Sequence, residues 1–227
     1  MPKIKISKGN PALDMTPMVD LAFLLVTFFM LTASVRVSEP VIVDSPSSTS
    51  EKLLPDNVIL ITVDNKGKAF YNINNFDVRK KTLEQMGKQY KVAFTAKEEE
   101  RFGKMTSFGV PIAPIPGYSG VLLKEYINMD DPQRLKVKSP GVPLDSLHNQ
   151  LRDWIQFGRI EAMRQLKTQQ DKAKTLGHEF KYEPLRFAIK ADGEANYIAV
   201  KEVIKVFTDL ELYRFNLITN LEGGEKK

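Results

Sequence analysis

The sequence predicts a mixed α/β or α+β protein with a single N-terminal transmembrane helix, a linker, and a small mixed-sheet domain that carries a long helical insertion. Three observations lead there. An apolar run from Pro17 to Val35 contains one charge, Asp20; a β-branched run, Val58 to Val63, precedes a turn and a second short strand; and the last forty residues alternate strand, helix and strand.

Taken in order, residues 1–15 form a polar tail, and 16–36 form the transmembrane helix, since a span needs about 20 mostly apolar residues at a rise of about 1.5 Å each. Lys3, Lys5 and Lys8 precede the span without an acid before Asp14, whereas Arg36 is soon followed by Glu39 and Asp44. This bias places the N-terminus in the cytoplasm and the rest of the chain on the far side. A cleaved secretory signal is the competing reading. The apolar stretch is longer than the usual run of about 7 to 15 residues, holds a charge, and ends on Ala33-Ser34-Val35, a poor cleavage site.

Residues 37–56 are rich in Ser, Pro and Thr and read as a flexible linker, after which a domain is expected over 57–221 and a short tail over 222–227. Val58 to Val63 and Lys68 to Tyr71 flank Asp64-Asn65-Lys66-Gly67 as a β-hairpin. Val78, Leu83, Met86 and Tyr90 have helical spacing. From 91 to 143 the pattern weakens into a long irregular stretch with perhaps-strand character only in short pieces, and Pro and Gly punctuate 110–120. Leu144 to Leu176 reads as a long amphipathic helix, with Asp145 as its N-cap, Gly177 as its stop and Gly158 as a point of interruption. Leu185 to Lys190, Ile198 to Leu210 and Phe215 to Thr219 then give strand, helix and strand, the pattern of a crossover between parallel neighbours.

Composition excludes several functions. The chain has 27% charged residues, a net charge of +5 and no cysteine, so disulfides and thiolate metal sites are out. Lys and Arg are interleaved with Asp and Glu, without the concentrated basic face that nucleic acid requires. His148 and His178 lie far apart, with no further ligand at metal spacing, so no metal and no cofactor are expected. Asp192 reads as a turn residue after a strand, Trp154 as core or contact surface, and Glu98-Glu99-Glu100 as a solvated face. No nucleophile motif, phosphate loop or dinucleotide fingerprint is present, and the chain is not expected to be an enzyme.

The informative site is the apolar helix itself. At 100° per residue Thr16, Asp20, Thr27 and Ser34 share one stripe. A carboxylate inside a span costs roughly 2.5 to 3.5 kcal/mol and marks an ion path, a proton relay or a buried partner. Asp20 also lies only about one turn, roughly 5 Å, inside the span, where it could instead reach the interface and stabilise the helix N-terminus. Both readings stand on the residues alone.

Asp14-Met15-Thr16-Pro17-Met18-Val19-Asp20, running into Leu21-Ala22-Phe23-Leu24-Leu25-Val26-Thr27-Phe28-Phe29-Met30, resembles the ExbD/TolR family of biopolymer transport proteins. Ile189-Lys190-Ala191-Asp192, Tyr197, the helix from Val200 and Leu217-Ile218-Thr219 are similar to that family's final strand, helix and strand. The resemblance implies a bacterial inner-membrane, single-pass subunit with a periplasmic domain, coupling the proton motive force to TonB-dependent or Tol-type work at the outer membrane. It implies Asp20 and Thr27 as the proton path, an ExbB/TolQ-like multi-span partner, a TonB- or TolA-like third protein, and a homodimer in the lipid bilayer. Residues 91–183 depart from the family, whose domains are shorter there. The competing function is a membrane-anchored periplasmic scaffold or cell-wall-binding protein without proton transfer.

Overall fold

The computed structural model describes residues 16–32, 47–48, 57–134, 136–145, 148–177, 182–192, 195–218 and 220–221. The chain divides into two compact units, 1–37 and 38–227.

The first unit contains α1, Thr16–Thr32, a helix of 17 residues. Pro17 stands in its first turn, where a missing N–H costs nothing. The expected helix over 16–36 is therefore described only as far as Thr32, and 33–36 lie outside the described residues. Seventeen residues rise about 25 Å, against a hydrocarbon core of about 30 Å. Among the described residues no helix is long and apolar enough to cross a membrane.

In the second unit the strands are β1 (Ser47–Ser48), β2 (Val58–Val63), β3 (Ala69–Ile73), β4 (Ser107–Phe108), β5 (Arg186–Ala191), β6 (Asn216–Ile218) and β7 (Asn220–Leu221). Five of them form a mixed sheet in the order β4-β3-β2-β5-β6. The expected hairpin is present, with Ile61 opposite Tyr71 and Val63 opposite Ala69. β5 pairs parallel to both β2 and β6, so the expected parallel crossover is also present. Every residue of β2 is buried, as a central strand covered on both faces requires. Ser47 and Ser48 of the expected linker pair in parallel with Asn220 and Leu221, and the rest of 37–56 lies outside the described residues.

The helices are α2 (Phe76–Tyr90), α3 (Ala96–Lys104), α4 (Leu123–Asn128), α5 (Asp131–Arg134), α6 (Gln150–Leu176) and α7 (Tyr197–Asp209). Short polar side chains start them. Asn75 accepts from the Asp77 and Val78 N–H groups, Asn149 from Arg152 N at 2.9 Å, and Asn196 from Ile198 N at 2.9 Å. Asn149, not the expected Asp145, caps α6, because the residues from Leu144 to Asn149 are not helical. Gly177 ends α6 in the left-handed conformation at φ 67°, as expected.

Gly158 does not interrupt α6. Its missing Cβ makes room for Tyr71, since a Cβ there would lie 2.3 Å from the phenol oxygen. The stretch expected to be irregular holds α3, β4, α4 and α5. α3 starts at a capping box, with Thr95 N donating to Glu98 Oε2 at 2.8 Å and Glu98 N to Thr95 Oγ1 at 3.3 Å. Glu98, expected on a solvated face, is consequently buried, and it also accepts from Asn128 Nδ2 at 2.7 Å. Its burial opposes ionisation, but these hydrogen bonds outweigh it and hold the carboxyl below its ordinary value.

One core joins residues 91–183 to the hairpin. Trp154 of α6, fully buried, sits 4.9 Å from Phe108, 5.6 Å from Tyr71 and 5.7 Å from Phe102, measured between ring centroids. Ile59, Ile61, Phe187 and Ile189 extend this cluster across the sheet, while Val58, Leu60 and Ala188 point to the other face. The sequence expectation of Trp154 as core is met.

Candidate functional site on the apolar helix

α1 is apolar all round. Met18, Val19, Leu21, Phe23, Leu24, Leu25, Val26, Phe28, Phe29 and Met30 are between 55% and 75% exposed, so the helix does not bury its own surface. A helix of this kind is at home only when covered by lipid or by other helices. Asp20, its fifth residue, is its one charged residue and is exposed.

Thr27 lies seven residues on, which brings it within about 20° of the same face and about 10.5 Å along the axis. Its Oγ1 is 2.9 Å from both the Phe23 and Leu24 carbonyl oxygens and donates its proton to the preceding turn. The hydroxyl retains lone pairs able to accept a hydrogen bond. For Thr27 to pass a proton, that backbone bond must open. The side chain of Thr16 and all of Ser34 lie outside what the structure describes, so the observed stripe consists of Asp20 and Thr27.

The other sequence candidates fall away from this site. His148 is exposed, His178 lies outside the described residues, and no group of three metal-binding side chains occurs among the described residues. Asp192 follows β5 directly; its N–H donates to Val63 O at 3.0 Å and its carbonyl accepts from Ala195 N at 3.0 Å, the role of a turn residue.

Sequence reasoning missed Arg79 and Gln150. Arg79, inside an Arg-Lys-Lys run that resembles surface, is buried, and donates to Asn72 Oδ1 at 2.8 Å, to Gly103 O at 3.3 Å and to Ile73 O. Burial pushes its guanidinium down to about 10, and Tyr71 opposes that shift. It ties the start of α2 to the end of β3 and the last turn of α3. Nothing in its spacing distinguishes it from its neighbours, Lys80 and Lys81.

Residues 7–105 match the family model of the biopolymer transport protein ExbD/TolR. The family resemblance read from the N-terminal motif holds. The match covers a little under half of the chain, taking in α1, the hairpin, α2 and α3, and it ends before α6 and the C-terminal strands. No curated protein and no solved structure matches the chain. The ExbD/TolR match assigns the chain to biopolymer transport, a non-enzymatic role, and places Asp20 and Thr27 inside the matched segment.

Proposed function

We propose that this ExbD/TolR-like chain is the proton-channel subunit of an inner-membrane motor that couples the proton motive force to TonB-dependent or Tol-type work at the outer membrane. The observation that carries the proposal is a lone carboxylate, Asp20, on an uncovered apolar helix within the family-matched segment. In this reading α1 spans the inner membrane, its N-terminus is cytoplasmic, and the second unit is periplasmic. The helices of an ExbB/TolQ-like multi-span protein surround a homodimer and cover the exposed apolar side chains.

Asp20 takes a proton from one side, becomes neutral, and releases it after a rotation or shift of the helix. Thr27 lies on the same face and accepts a hydrogen bond along that path. Each proton crossing gains roughly 2.3 kcal/mol per 100 mV, which the chain passes through residues 37–56 to the periplasmic domain and on to a TonB- or TolA-like protein. The alternative of a membrane-anchored scaffold has one supporting observation. Asp20 is only about one turn from the start of α1, within reach of an interface.

Asp20→Asn keeps size and removes titration. The proton reading expects cells carrying it, at normal protein levels, to lose energised outer-membrane transport. Retained transport at normal levels would favour the scaffold.

A further inference from the structure

We infer that the loop from Pro111 to Leu122 is a preorganised recognition element that docks its apolar, proline-rich tip into an aromatic-lined groove on a partner protein. Three features carry this: the loop's composition, its anchored base and its ordered tip.

Composition sets the loop apart. No charged residue occurs between Lys104 and Lys124, in a chain with 27% charged residues. The segment Pro111-Ile112-Ala113-Pro114-Ile115-Pro116 fixes φ at three of six positions, so little backbone entropy remains to be lost on binding.

Both feet of the loop are sunk in the core. Val110, Ile112 and Leu123 are buried, and Leu123 N donates to Pro111 O at 2.9 Å, closing the base. Gln150, the first residue of α6 and itself buried, uses both ends of its amide on this loop. Ile112 N donates to Gln150 Oε1 at 2.9 Å, and Gln150 Nε2 donates to Ala113 O at 3.3 Å. A buried amide committed in this way holds the backbone of the loop rather than any catalytic group.

The tip is ordered by its own side chains. Tyr118 N donates to Ile115 O at 3.2 Å, and Tyr118 Oη donates to Val121 O at 3.1 Å. Gly120 lets the Tyr118 ring lie against the chain, since a Cβ there would come within 2.4 Å of it. Gly117 turns the chain at φ 80°. Pro114 and Pro116 are exposed, with Ile115 and Tyr118 half-buried beside them. A compact, self-packed loop presenting proline on a rigid base matches the way proline-rich segments enter aromatic-lined grooves. An uncharged tip fits an apolar groove and not an acidic or basic surface.

The test places the photo-crosslinker p-benzoylphenylalanine at Pro116, and in a separate chain at the exposed control position Lys172, in the full-length protein in the cells that make it. The expected result is one heterologous adduct at Pro116, absent at Lys172, whose crosslinked peptide maps to an aromatic-lined apolar surface. Gln150→Ala should lower its yield about tenfold by loosening the loop. Should that variant fail to accumulate, exposed-tip Pro114→Gly, which leaves the base intact, should also lower the yield severalfold. The inference is overturned by equal adducts at Lys172, by adducts only with lipid or a second copy of this chain, or by an adduct indifferent to Pro114→Gly.

Discussion

Trp154→Ala tests whether α6 is part of the domain's core or an attachment to it. Trp154 is fully buried and meets three aromatic rings at centroid distances of 4.9 to 5.7 Å. Truncating such a residue costs about 3 to 5 kcal/mol. One correction applies, because the indole Nε1 is buried without a hydrogen-bond partner, and its removal returns about 1 to 3 kcal/mol of desolvation cost. The net loss expected is about 3 kcal/mol, a large share of a domain stability of about 5 to 15 kcal/mol. Trp154→Phe keeps an aromatic ring and removes the unpartnered N–H, so it should cost less than about 1.5 kcal/mol. Far-UV circular dichroism of the full chain in detergent, followed through a urea titration, reads both values. An alanine variant within about 1 kcal/mol of the parent would refute the reasoning and make α6 a detachable element.

Two further predictions concern the same core. Gly158→Ala places a Cβ 2.3 Å from the Tyr71 phenol oxygen and should cost about 1 to 3 kcal/mol by urea titration, with Tyr71→Phe in the same chain recovering most of it. Burial raises Tyr71 above its ordinary value of 10.0, opposed by Arg79, and burial together with the Asp153 hydrogen bond raises Tyr90. Groups raised in the fold favour it fully below the unfolded value, so stability should hold up to about pH 10 and fall above it; the Tyr71→Phe and Tyr90→Phe pair should flatten that alkaline limb.

The hairpin and the C-terminal crossover were legible because their signals are local. β2 is a continuous β-branched run before turn residues, and the parallel pairing of β5 with β6 follows from a strand, a helix and a strand in short succession. α3 carried a readable signal that an acidic run obscured: Thr95 followed three residues later by Glu98 is a capping box, and the structure uses both halves. The start of α6 was misplaced because Asp145 and Asn149 are equally good caps as residue types, and only the buried position of Gln150 selects the second.

The contact of Trp154 with Tyr71 joins residues more than eighty positions apart, and no periodicity reports it. The same holds for Arg79, whose partners come from β3 and α3 and whose sequence neighbours are ordinary surface lysines. Asp20 was legible for the opposite reason. A single charge in an apolar run is anomalous on its own, without any tertiary partner, and the helix that displays it leaves its apolar surface open. Thr27 shows where such reading stops, since its position on the stripe was foreseeable and its bond to the Phe23 and Leu24 carbonyls required coordinates.

The most direct test of the proton-carrying role is flux measured in sealed proteoliposomes holding the chain together with its multi-span membrane partner, a pH-sensitive dye inside and an imposed potential outside. The account predicts potential-driven acidification with the parent chain, none above background with Asp20→Asn, and a partial signal with Asp20→Glu, which restores a titratable carboxyl on a longer arm. Flux through Asp20→Asn equal to that of the parent, in vesicles with equal incorporation, would contradict it.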